Sequence, residues 1–72
     1  MVLAQARIGQ RGTVANISGT EKIRKFLLTL GCSEGSEVTL ISKVSDNFVI
    51  NVKDSRYAID SQMARMIELT ES

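Results

Sequence analysis

The chain has no histidine and only one cysteine. Without histidine it lacks the commonest general base and the commonest transition-metal ligand of proteins. One cysteine can form neither an internal disulfide nor a thiolate cluster for zinc. These absences argue against an enzyme and against tight binding of zinc or iron by this chain alone. We therefore predict no catalytic residues, no metal ligands and no cofactor.

The chain also lacks a long apolar run and a strong excess of either charge. No apolar stretch approaches the ~18 residues that span a bilayer, and the first residues do not resemble a signal peptide. Nine basic and eight acidic residues leave a net charge of +1, whereas nucleic-acid binders usually carry a basic stripe. We expect a cytoplasmic protein that neither inserts into the membrane nor binds nucleic acid.

The length of 72 residues predicts a single domain over residues 1–72. A chain of this size buries only roughly 60% of its unfolded surface, so little is left to line a deep substrate cavity. Asp46, Asp54 and Asp60 fall at predicted turns and caps, where aspartate makes local hydrogen bonds. They are therefore not interpreted as catalytic, and we expect a monomer that folds without added metal.

The strongest helix signal lies between Glu21 and Leu30. Four apolar residues follow the i, i+3, i+4, i+7 spacing of one buried stripe: Ile23, Phe26, Leu27 and Leu30. Ser18 and Glu21 fit a capping box, and Thr20 is an alternative N-cap. Gly31 follows the stripe at the position where a glycine ends a helix in the left-handed conformation.

Five short segments have the pattern of β-strands, at residues 11–17, 37–44, 48–53, 56–59 and 66–69. A short helical turn capped by Asp60 precedes the last strand, and Ala64 and Ile67 point to the core. Short strands in a small chain are best protected when they close into a barrel. The predicted fold class is mainly β: a small five-stranded SH3-like barrel with one embedded α-helix and a short helical turn before the last strand.

Strand register is predicted from the requirement that apolar residues share one face. A two-residue turn at Asp54 and Ser55 places Val52 opposite Tyr57 and Ile50 opposite Ile59. A three-residue loop from Ser45 to Asn47 places Val44 opposite Phe48, Ser42 opposite Ile50 and Leu40 opposite Val52, and it satisfies the pattern better than a two-residue turn at Asp46 and Asn47.

One surface feature is a candidate partner contact. Lys22, Arg24 and Lys25 form a basic run on the helix, and Leu28 lies off the apolar stripe, one turn after Arg24. Such a run usually forms a solvated face. An apolar residue at a basic edge is also typical of a small interface with an acidic partner. Leu28 is the only long apolar residue that the pattern does not assign to the core.

Two ordered motifs carry a resemblance to a known family. They are Arg24-x-x-Leu27-x-x-Leu30-Gly31-x-x-x-Gly35 and Tyr57-Ala58-Ile59-x-x-x-x-Ala64-x-x-Ile67. With Gly9-x-x-Gly12-x-Val14-x-x-Ile17 before them, the sequence resembles the FeoA family over roughly residues 3–70. It departs from the family at Glu34, where many members have proline, and at Cys32, commonly a larger hydrophobe.

The resemblance implies an SH3-like protein that assists ferrous iron transport without catalysis. The implied partner is FeoB, a membrane transporter with a cytoplasmic GTPase domain, which could recruit the protein to the inner face of the membrane. The family also carries the label transition metal ion binding. The alternative is a regulatory module of the kind found in metal-dependent transcriptional repressors. Such modules normally follow a DNA-binding region, and this chain shows none before Met1, which favours the first function.

Overall fold

The fold, in a computed structural model that describes residues 1–71, is one antiparallel sheet with two short α-helices. The elements in chain order are a 3-10 turn at Leu3–Gln5, β1 at Arg11–Ile17, α1 at Glu21–Thr29, β2 at Glu37–Val44, β3 at Asn47–Val52, β4 at Ser55–Asp60, α2 at Ser61–Met66 and β5 at Ile67–Glu71. All five predicted strands, the embedded helix and the short helix before the last strand are present, which confirms the predicted fold class.

The five strands lie in the order β4-β3-β2-β1-β5, so β4 and β5 are the edges of the sheet. Val2 bridges Glu68 and continues the sheet beyond β5. Within residues 1–71 no ladder joins β4 to β5, and the sheet is not closed by hydrogen bonds. The helix α2 links these two strands and contacts both of them. The two edges of the sheet are therefore connected by the packing of α2 and not by strand-to-strand hydrogen bonds.

Helix α1 begins and ends with the local interactions that its sequence favours. The Thr20 hydroxyl accepts a hydrogen bond from the Ile23 backbone N–H at 3.2 Å, so Thr20 is the N-cap and the predicted capping box of Ser18 with Glu21 is wrong. At the other end Gly31 has φ +90°, and Cys32 N–H donates to the Leu27 carbonyl at 3.0 Å. This is the glycine-terminated C-cap that the sequence predicts.

The buried stripe of α1 is narrower than its spacing indicates. Leu27 is 0% exposed, and Ile23 and Leu30 are partly buried against the core, whereas Phe26 is 44% exposed. Successive helical positions turn by about 100°, which puts Phe26 on the flank of the stripe that Leu27 centres. The prediction that Phe26 faces the core is wrong, because the strip along which α1 contacts the core is too narrow to bury the Phe26 side chain as well.

The hairpin between β3 and β4 turns one residue earlier than predicted. Its turn is formed by Lys53 and Asp54, with φ of 50° and 64°. Positive φ at both central positions is the hairpin turn whose twist matches the flanking strands. Ile50 therefore faces Tyr57, not Ile59. Because the pairing shifts by two positions, the apolar residues stay on the face that the sequence predicts.

The hairpin between β2 and β3 combines a two-residue turn with a bulge, not the predicted three-residue loop. Ser45 and Asp46 form the turn, and the register shifts between Leu40 and Ser42. The extra residue in the bulge moves the pairing by one position. Leu40 consequently faces Ile50, another buried residue, and not Val52.

The core lies between the sheet and the helices, and within residues 1–70, the part of the chain whose burial is described, it contains no buried polar or charged residue. Ala64 and Ile67 are 0% exposed, as predicted, and the Asp60 carboxylate caps α2 by accepting from Met63 N–H at 2.8 Å. The sequence pattern did not identify the contribution of the N-terminal segment, where Leu3 and Ala6 are buried. The core thus draws on every described element of the chain.

Candidate functional site

A groove runs beside α1, between the helix and the turn that follows it. Its volume is about 650 Å³, and it is lined by residues from the end of β1, from α1 and from the segment after α1: Ile17, Glu21, Arg24, Lys25, Leu28, Cys32, Ser33 and Glu34. The left-handed Gly31 reverses the chain after α1. This reversal brings the segment 32–34 back along the helix, so the C-cap builds the second wall of the groove.

Three of the four predicted contact residues line this groove. Arg24 and Leu28 are one helical turn apart, and Lys25 lies beside them. Leu28 is 60% exposed, which leaves its side chain available at the mouth of the groove. Lys22 is exposed but does not line the groove. It lies about 120° around the helix from Leu28, so the basic run extends beyond the groove.

Leu28 is not the only large apolar residue at the surface. Ile8 is 62% exposed, Val44 60% and Phe26 44%. The expectation that every long apolar residue except Leu28 belongs to the core is therefore wrong. What distinguishes Leu28 is its place in a groove with charged residues on both sides, and not its exposure alone.

The charges around the groove are of both signs. Lys25 and Glu21 form the i,i+4 ion pair expected for this order, at 3.2 Å. Among the described residues no side chain forms an ion pair with Arg24 or with Glu34. The groove therefore presents one unpaired cation on the helix and one unpaired carboxylate on the opposite wall, with apolar side chains between them.

Cys32 forms part of the floor of the groove and is 0% exposed. Burial raises the pKa of its thiol from 9.0 to about 11, so the thiol is protonated at neutral pH. A protonated, buried thiol is a poor nucleophile and a poor metal ligand. Cys32 thus behaves as a small hydrophobic residue of the core.

The described part of the chain was also searched for metal-ligand clusters and for membrane-spanning helices. Among the described side chains, those of residues 1–70, no three His, Cys, Asp or Glu come together in a group that could hold a metal ion. In the same part of the chain no helix is both long enough and apolar enough to cross a membrane.

The residues Ile17, Cys32, Ser33 and Glu34 were not identified from the sequence as parts of a site. They come from two separate segments, the end of β1 and residues 32–34, and the reversal at Gly31 turns the second of these back to α1. The signals available in the sequence were the two departures from the FeoA pattern, at Glu34, where many members have proline, and at Cys32, where a larger hydrophobic residue is common.

Comparison with known proteins gives one family and a consistent set of structures. The family model described as FeoA domain matches residues 1–71. No curated protein matches the sequence.

Three solved structures illustrate the similarity of fold. The first, an iron uptake regulatory protein (FeoA), is 24% identical, with a TM-score of 0.89 over 96% of this chain and 93% of that one. The second is the FeoA of Stenotrophomonas maltophilia complexed with zinc, described as a procaryotic SH3 domain protein, at 20% identity and a TM-score of 0.85 over 97% and 89% of the two chains. The third is a manganese-dependent transcriptional repressor, at 20% identity and a TM-score of 0.92 over all of this chain but only 41% of that one.

Proposed function

Because the chain belongs to the FeoA family, we propose that it is a non-catalytic accessory protein of ferrous iron transport that acts by binding a FeoB-like membrane transporter. It works on the cytoplasmic side of the membrane, where the transporter's GTPase domain can recruit it. The contact surface is the groove beside α1 together with the adjoining basic side of that helix, from Lys22 to Leu28.

The observation that carries this proposal is the exposed Leu28 in a groove with Arg24 and Lys25 on one wall. Small transient interfaces often combine an apolar anchor with a charged rim. The anchor supplies most of the affinity. The rim charges mainly speed the encounter with an acidic surface, and their effect weakens as salt is added.

The test is Leu28→Glu, assayed for binding to the cytoplasmic domain of the transporter. Leu28 is 60% exposed, so the variant should keep the circular dichroism spectrum and denaturant midpoint of the wild type. Burying a carboxylate at the apolar anchor of an interface should weaken binding by at least about tenfold. Ferrous iron uptake in a deletion strain should fall with it.

Val44→Glu is the matched control, because Val44 is also 60% exposed but lies outside the groove. It should bind the transporter domain as the wild type does. If Leu28→Glu unfolds the protein, Leu28 belongs to the core. If it folds and supports uptake fully, the contact lies on another surface. Either result overturns the proposal.

A second candidate is a regulatory module of a metal-dependent repressor. The observation favouring it is the TM-score of 0.92 with the manganese-dependent repressor. That repressor is more than twice as long, and the whole-chain match to the FeoA model favours the transport function. A deletion strain with normal iron uptake but altered metal-dependent transcription would support the second candidate.

A further inference from the structure

The hairpin between β2 and β3 ends in an exposed tip, residues 43–46, that carries apolar and charged groups. Val44 is 60% exposed, although it belongs to a strand. Asp46 is exposed in the two-residue turn, and no described residue forms an ion pair with it. Lys43 extends over the ring of Phe48, with its ammonium 5.4 Å from the ring centroid. The hairpin tip thus presents a base, an apolar side chain and an acid within four residues.

The hairpin tip and the groove have complementary charges. Successive strand residues point to opposite faces, so Lys43 and Val44 lie on opposite sides of the hairpin. The groove likewise has two walls: α1, with Arg24, and the segment 32–34, with Glu34. A hairpin entering between these walls would turn its apolar side to the helix and its basic side to the carboxylate.

We propose that the hairpin tip of one copy of this chain docks in the groove of a second copy. The contact consists of three pairs across the two copies: Val44 with Leu28, Asp46 with Arg24, and Lys43 with Glu34. Each charged group then meets the opposite sign, and two apolar side chains that are 60% exposed in the single chain cover each other.

The size of the contact makes this association weak. A four-residue tip buries far less than the roughly 800 Å² per partner of a stable interface. The contact is also head-to-tail, because the tip and the groove are different surfaces, so each docked copy keeps one tip and one groove for further copies. Dilute protein is therefore monomeric, and association is open-ended at high concentration.

The first test follows backbone amide resonances of the intact chain by NMR from about 0.05 to about 2 mM, the range in which millimolar contacts form. Resonances of the hairpin tip and of the groove should shift together as concentration rises, while those of the α2 region stay in place. Leu28→Glu and Val44→Glu should each abolish the shifts. Ile8→Glu, at a residue that is 62% exposed on another loop, should leave them unchanged.

The decisive step is to mix the two defective variants. Leu28→Glu keeps an intact tip and Val44→Glu an intact groove, so an equimolar mixture should recover one contact and form a 1:1 dimer that neither variant forms alone. Sedimentation velocity would detect it. A wild-type chain without concentration-dependent shifts, or a mixture that stays monomeric, overturns the proposal.

The contact between two copies does not depend on the proposed transport function, and the experiments can refute either proposal without refuting the other. Val44→Glu removes self-association but should still bind the transporter domain, whereas Leu28→Glu removes both. If both contacts exist they share Leu28, so transporter binding by the wild type should weaken at protein concentrations where copies associate, and binding by Val44→Glu should not.

Discussion

Replacing Leu27 by alanine should lower the free energy of unfolding by about 2–5 kcal/mol, the range measured for leucine-to-alanine changes in protein cores. Leu27 is 0% exposed and centres the stripe by which α1 packs on the core. Alanine favours the helix slightly, so the loss arises from the missing contacts and the cavity. A chain of 72 residues has roughly 4–11 kcal/mol of stability in total, so this one change removes a large part of it.

Leu28→Ala is the control, since it makes the same chemical change one residue further along the same helix. Leu28 is 60% exposed, so its loss should cost less than about 0.5 kcal/mol. Urea unfolding monitored by circular dichroism distinguishes the two. With a slope of about 1 kcal/mol per molar, Leu27→Ala should lower the midpoint by about 2 M or more. Equal effects of the two variants would refute the orientation of α1 described above.

Two further predictions concern the helix cap and the buried thiol. Thr20→Ala should destabilise the protein by about 1 kcal/mol in denaturant unfolding, because Thr20 caps α1. Ser18→Ala is the control and should destabilise the protein clearly less. If Ser18→Ala had the larger effect, Ser18 and not Thr20 would be the N-cap. Cys32 has a folded pKa raised from 9.0 to about 11, so its contribution to stability is complete below pH 9 and is lost as the pH rises toward about 11. The stability difference between wild type and Cys32→Ala should shrink over that pH window, and a constant difference would contradict the burial of the thiol.

Local sequence determined the helix and the strands because their signals act over a few residues. The spacing around Leu27, the glycine at Gly31 and the aspartate cap at Asp60 each predict the observed element. Where two local signals competed, as with Ser18 and Thr20 at the start of α1, the sequence offered both caps and the structure uses Thr20. The Ser18 N–H donates instead to the Met66 carbonyl, a partner 48 residues away that no local pattern reveals.

The registers of the strand pairs could be predicted only in part from the sequence. The requirement for one apolar face holds equally for pairings that differ by two residues, so the face was predictable and the turn at Lys53 and Asp54 was not. A bulge such as that beside Ile41 shifts the register by one more residue. Its position depends on which side chains fill the core together.

The sequence by itself determined the fold class, the family resemblance and three of the residues that line the groove. Only the tertiary structure decided that Phe26 is exposed and that Glu34 lines the same groove as Arg24. The physical reason is that the helical repeat relates only residues within the helix. A helix places residues three and four apart on one face, so Arg24 and Leu28 are neighbours in any context, whereas the groove's second wall and floor depend on the chain reversal at Gly31 and on where β1 ends.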